Sequence, residues 1–160
     1  LARLALRGKR ARFYNHAPAA FVQQRIPPQI WSTYYKFAFE RDPFDKAISR
    51  YYWSTQEPRP ALSDYLQTAR TDLLSNWGVY TINDQIAVDF LGRYETLHDD
   101  LEHVRQHLGL PGDWLLPRAK AGHRQNRDHY SQVLDQASRE RIEIVCAKEI
   151  RALGYGWTAR

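Results

Sequence analysis

Methionine is absent from this chain of 160 residues and cysteine occurs once, as Cys146, so no intrachain disulfide can brace the fold. Long apolar runs are also missing. Nothing approaches the roughly 18 consecutive apolar residues of a membrane-spanning helix, and residues 1–12, although basic, lack the uncharged stretch of a secretory signal. Glycine-rich phosphate loops are missing as well: residues 1–35 hold one glycine, Gly8, set among basic residues with no strand-like run before it. Internal repeats and low-complexity tracts are absent. What is present, 43% hydrophobic and 26% charged residues, is ordinary for one globular domain with a real core.

The formal net charge of +5 is local. Arg3, Arg7, Lys9, Arg10 and Arg12 carry it without an acid among them, which leaves residues 13–160 balanced and argues against a diffuse nucleic-acid surface. A solvated helix face and a contact with an anionic substrate both remain open for that segment. A second basic cluster, Arg118, Lys120, Arg124 and Arg127, lies in a loop-like stretch with no acid until Asp128.

Residues 36–53, KFAFERDPFDKAISRYYW, carry the chemistry. Phe37, Ala38 and Phe39 predict a short strand covered on both faces. Asp42 is placed to cap a helix that starts at Pro43, where no donor is needed. Phe44, Ala47, Ile48 and Tyr51 recur at helical spacing and predict the buried face, while Asp42, Lys46, Ser49 and Trp53 step along the other. Ser49 then sits about 10 Å beyond the cap, on the side along which Arg41 can reach. A guanidinium fork and a hydroxyl can grip a phosphate monoester from two directions. The same residues also fit a plainer arrangement, with Arg41 paired to a nearby carboxylate and Ser49 facing water.

Further along, residues 17–26 predict a short helix stopped by Pro27-Pro28, after which Ile30 and Trp31 lead to the strand. Leu62, Tyr65, Leu66, Ala69, Leu73 and Trp77 predict one long helix, with Ser63 as its cap and its end near Trp77-Gly78. Residues 79–82 and 86–91 flank Asn83-Asp84-Gln85 as a hairpin. Residues 97–108 predict a helix with early acids and Gly109 beyond its end. His103 and His107 are four residues apart but project from its polar side, with no third zinc ligand at a useful spacing. Cys146 falls on the apolar face of the last helix and reads as a packing residue.

The string Arg41-Asp42-Pro43, followed by Lys46, Ser49 and Tyr51, resembles the 3′-phosphate element of sulfotransferases that use 3′-phosphoadenosine 5′-phosphosulfate. The likeness is closest to family 2, the group with carbohydrate sulfotransferases and many bacterial relatives, and covers residues 14–157. VDFLGRYETLHDDLEHVRQHLGL (residues 88–110) resembles the family's late strand and helix, with Tyr94 and Glu95 securing the junction. LLPRAKAGHRQNRDHY (residues 115–130) is similar to its basic loop near the nucleotide, and ASRERIEIVCAKEIRALGY (residues 137–155) to its closing helix.

The resemblance implies an α/β chain, the C-terminal portion of a P-loop-like fold, with a small parallel sheet remnant in a predominantly helical surround. It implies a single domain over residues 1–160 whose upstream phosphosulfate loop lies elsewhere, so that this portion alone is expected to be inactive. The implied donor ligands are Arg41 and Ser49 first, with Lys46 and Arg124 as secondary phosphate contacts. His16 occupies the place of a functional histidine and can accept a hydroxyl proton; a helix-start histidine is the alternative. The implied co-substrate is 3′-phosphoadenosine 5′-phosphosulfate, the acceptor a hydroxyl compound such as a carbohydrate, and no metal or nucleic acid is required. A cytoplasmic location is expected, with anchoring through an upstream segment as the alternative. A noncatalytic module that keeps the fold and a nucleic-acid-binding domain are the rival functions.

Overall fold

The computed structural model of the chain describes residues 13–112, 114 and 128–158. Two short helices come first, α1 (Ala19–Gln23) and α2 (Pro28–Thr33), followed by strand β1 (Phe37–Glu40) and the twelve-residue helix α3 (Pro43–Ser54). Three short helices, α4 (Leu62–Thr68), α5 (Thr71–Leu74) and α6 (Trp77–Tyr80), lead into a hairpin of β2 (Thr81–Ile82) and β3 (Gln85–Ile86). Strand β4 (Phe90–Arg93) runs through a 3-10 turn at Tyr94–Thr96 into α7 (Leu97–His107). Helices α8 (Tyr130–Val133), α9 (Gln136–Val145) and α10 (Ala147–Leu153) close the described chain.

The architecture is α/β. β1 and β4 pair in parallel, with Phe37 opposite Phe90 and Glu40 opposite Arg93, so α3 lies within the crossover that parallel pairing requires. Gly92 opposes Phe39 in this ladder because a Cβ there would sit 2.7 Å from the Phe39 ring and 2.9 Å from the Phe90 ring. The anticipated buried face of α3 is the centre of the core. Phe44, Ala47 and Ile48 pack with Leu66 and Ala69, with Leu74, and with Tyr130, Leu134, Ile142 and Cys146 of the last helices and their joints.

Four expectations are corrected. β1 is not covered on both faces: it is one strand of a two-stranded sheet, and Phe37 is 40% exposed. The long helix expected over residues 62–77 breaks into α4, α5 and α6, and Ser63 does not cap it, since Ala61 stands at that position without a side-chain bond. Extended backbone at Ala69 and Arg70 turns Leu74 into the core and leaves Leu73 outside, so packing overrides the regular spacing. The last helix likewise breaks at Cys146, which ends α9 and opens α10. The segment after Pro27-Pro28 is the helix α2 rather than a simple lead into the strand.

The hairpin is tighter than expected. Asn83 and Asp84, at φ +49° and +67°, form a two-residue turn, and β3 ends at Ile86 before the separate strand β4 begins. Among the described residues no helix is long and apolar enough to cross a membrane.

Candidate functional site

Everything near the β1–α3 turn depends on how Asp42 leaves the strand. Its carboxylate accepts from the backbone N–H groups of Phe44 (2.8 Å) and Asp45 (3.4 Å), while Pro43 takes the first helical position. Burial raises the Asp42 carboxyl above its ordinary range, with the nearby charges of Glu95 and Asp45 adding to this and the two backbone donors opposing it. Glu95 joins the turn to the far side of the sheet: it accepts from the Asp42 N–H at 2.7 Å and from the Tyr155 hydroxyl at 2.8 Å. These contacts lie at the β1–α3 turn and at Tyr155, not across the β4–α7 junction that Glu95 was expected to secure.

Arg41 projects along α3. Its Nε donates to Asp45 Oδ2 at 2.7 Å, an Nη group pairs with the same oxygen, and the guanidinium lies 4.7 Å from the Tyr94 ring centre. Asp45 is one turn below Ser49, so the contact lays Arg41 along the Ser49 side of the helix. Ser49 is half-buried, and its hydroxyl has no partner among the described residues. The plainer arrangement of Arg41 with a carboxylate is thus present, but Asp45 engages only part of the guanidinium's five donors.

Lys46 turns to the other flank. Its ammonium meets Glu40 Oε1 at 3.0 Å, and Glu40 is 1% exposed at the end of β1. That oxygen also accepts from the Arg41 backbone N–H at 2.8 Å and from Asn76 Nδ2 at 3.3 Å, while Oε2 is sealed without a partner. A second buried carboxylate, Glu149, accepts from the Ser75 hydroxyl and from the backbone N–H groups of Asn76 and Trp77. Both acids thus hold the segment 75–77, Glu149 at all three residues and Glu40 at the Asn76 side chain. Their charges, after burial itself, push the Tyr80 phenol well above its ordinary value.

Ser75 and Asn76 line a cleft of about 550 Å³, which is also lined by His16, Tyr14, Arg50 and Asp72. His16 is exposed and has a left-handed backbone conformation, φ +59°, which is uncommon for a residue with a Cβ. The site residues expected from the sequence therefore fall into two groups. Arg41 and Ser49 share one side of α3, while His16 stands in the cleft. Lys46 lies between, and Arg124 is outside the described residues. Arg50, Ser75 and Asn76 were not anticipated. Arg50 alone left a signal, since it follows Lys46 by one turn on the same flank of α3.

His103 and His107 have aromatic partners, Phe90 at 4.9 Å and Tyr35 at 4.1 Å between ring centres. Among the described residues no cluster of three or more His, Cys, Asp or Glu is placed to hold a metal. Cys146 is buried in the core, as its spacing predicted, and burial pushes its thiol up to about 12.

The model of the sulfotransferase family matches residues 9–156, a span that includes His16, the β1–α3 turn and the closing helices. The chain belongs to the sulfotransferase family. A protein of uncharacterised function from Archaeoglobus fulgidus is 29% identical over 100 residues, which cover 59% of this chain and 83% of the archaeal protein. No solved structure matches the chain. Family membership makes a transferase of the sulfotransferase type the functional class.

Proposed function

We propose that the chain supplies the 3′-phosphate grip and the acceptor base of a P-loop-like sulfotransferase that uses 3′-phosphoadenosine 5′-phosphosulfate and a hydroxyl acceptor of carbohydrate type. The observation that carries this reading is the family match spanning the capped turn, where Arg41 is held on the Ser49 side of α3. The residues suit a ribose phosphate in kind: a partly engaged guanidinium, a hydroxyl without a partner among the described residues, and an ammonium one turn beyond the cap.

In this reading Arg41 and Ser49 hold the 3′-phosphate. Lys46, which directs one of its three protons at Glu40, adds a weaker contact, and Arg124 adds another from the basic segment. When bound, the donor supplies an activated sulfuryl group. His16 accepts the proton of the acceptor hydroxyl, and its position in the cleft gives the acceptor a place beside it. A base so placed contributes about 10² to 10⁴ in rate. Asp42 and Glu95 touch neither partner; they fix the turn from which Arg41 and Ser49 project.

Thermal unfolding with added nucleotide tests the reading. Adenosine 3′,5′-bisphosphate is expected to raise the midpoint, and adenosine 5′-monophosphate, which lacks the 3′-phosphate, to raise it far less. Equal shifts from the two nucleotides would contradict the assignment of Arg41 and Ser49.

A further inference from the structure

We infer that Tyr155 is a positioning residue of the donor grip: its hydroxyl holds Glu95, Glu95 holds the backbone of Asp42, and this bridge sets the direction in which Arg41 leaves β1. The inference rests on the assignment of Arg41 to the 3′-phosphate.

The bridge runs through one carboxylate. Glu95 Oε2 accepts from the Tyr155 hydroxyl at 2.8 Å and Oε1 from the Asp42 N–H at 2.7 Å, so each oxygen is committed to a different segment. In a capping box the acid three residues into the helix accepts the N–H of the capping residue. Here that acid, Asp45, gives Oδ2 to Arg41, and Glu95 accepts the Asp42 N–H from across the sheet. Glu95 is exposed, so the rotamer entropy of its side chain opposes this geometry, and the Tyr155 hydroxyl is the contact that holds the carboxylate against Asp42.

The tyrosine is placed independently of the turn. Gly154, at φ +64°, ends α10 in the left-handed conformation, and the Tyr155 N–H donates back to the Ile150 carbonyl at 3.0 Å. The Arg93 guanidinium lies 5.2 Å from the centre of the tyrosine ring and also donates to the Leu153 carbonyl. The end of α10 and β4 therefore fix the ring from which the hydroxyl reaches Glu95. Burial, followed by the hydrogen bond to Glu95 and that group's charge, pushes the phenol well above its ordinary value, so the donated proton is retained. Glu95 and its neighbour Tyr94 then act on adjacent residues: Glu95 on the Asp42 backbone, and the Tyr94 ring on the Arg41 guanidinium at 4.7 Å.

The test reads the bridge and its consequence separately. Hydrogen exchange of the Asp42 amide, followed by NMR on the whole chain without nucleotide, reports the bridge. Calorimetry with adenosine 3′,5′-bisphosphate and adenosine 5′-monophosphate reports the grip. Tyr155→Phe, which removes only the hydroxyl, should speed Asp42 exchange about fivefold or more relative to Ile48 in the core. It should weaken bisphosphate binding about fivefold and leave monophosphate binding unchanged. Glu95→Ala should reproduce both effects, and Glu95→Gln, whose amide carbonyl still accepts from Asp42, should restore most of the affinity. The losses from Tyr155→Phe and Arg41→Ala should not add, so that the double variant binds the bisphosphate as weakly as Arg41→Ala alone. Circular dichroism establishes that the variants are folded, and if Tyr155→Phe is not, the two Glu95 variants decide.

Asp42 exchange that is unchanged by Tyr155→Phe overturns the bridge. Faster exchange with the bisphosphate preference intact, or losses that add in the double variant, overturns the positioning role and leaves a merely structural contact. A failure of the donor assignment looks different: Arg41→Ala itself then leaves bisphosphate binding unchanged, and the inference falls with that assignment while the Asp42 exchange effect persists.

Discussion

If Arg41 holds the donor's 3′-phosphate as proposed, that phosphate competes with Asp45 for the guanidinium, which makes Asp45→Asn an informative perturbation. Two unit charges about 5 Å apart interact by on the order of 3 kcal/mol at an effective dielectric near 20, and screening at a surface site reduces this to about 1 kcal/mol. Arg41 and Asp45 each keep 26% of their side-chain surface exposed, so the screened figure applies. Removing the carboxylate charge lifts its repulsion of an incoming phosphate and releases two guanidinium donors. Adenosine 3′,5′-bisphosphate should bind about fivefold more tightly to Asp45→Asn than to the wild type, a difference of about 1 kcal/mol. Stability should move the other way. Asp45 is in the first turn of α3, where a negative charge favours the helix by about 0.3–1 kcal/mol, and the i,i+4 pair adds about 0.3–0.5 kcal/mol. Calorimetry and denaturant unfolding of the same variant give both quantities. Tighter binding with slightly lower stability is the predicted signature; weaker or unchanged binding would mean that Asp45 orients Arg41 for its ligand and would refute the competition argument.

Three further outcomes follow from the same contacts. Asp42→Ala removes the acceptor of two helix N–H groups and should cost about 0.5–2 kcal/mol in denaturant unfolding. Gly92→Ala forces a Cβ against the Phe39 and Phe90 rings and should cost about 1–3 kcal/mol, read as a lower thermal midpoint; an unchanged midpoint would show that the rings yield freely. The Cys146 thiol, buried and pushed up to about 12, should resist iodoacetamide at pH 8 in the native protein and react once it is unfolded.

The sequence made some of these features legible and hid others, for physical reasons. The α3 cap and its buried face were readable because Asp42, Pro43 and the spacing of Phe44, Ala47, Ile48 and Tyr51 act within a few residues of one another. The pairing of β1 with β4 was foreshadowed only as a small parallel sheet, since a register joining residues 37–40 to 90–93 depends on contacts remote in sequence. The breaks at Ala69 and Cys146 contain neither glycine nor proline. They follow from which side chains the core admits, Leu74 in place of Leu73 in the first case.

The site shows the same division. Arg41 and Ser49 follow a local motif. The cleft does not: it needs His16 before α1, Arg50 on α3 and the turn at Ser75 to meet in space, held by Glu40 and Glu149, whose burial no local pattern announces. The pairing of Arg41 with Asp45 and of Lys46 with Glu40 was equally invisible as a choice, because several acids lie within reach of each cation along the chain.

The most direct measurement is calorimetric titration of the whole chain with adenosine 3′,5′-bisphosphate, comparing wild type with Arg41→Ala and Ser49→Ala. If a guanidinium and a hydroxyl on one side of α3 grip the ribose phosphate, the wild type binds and each substitution weakens binding about tenfold or more. Binding that is the same in all three proteins would contradict that claim.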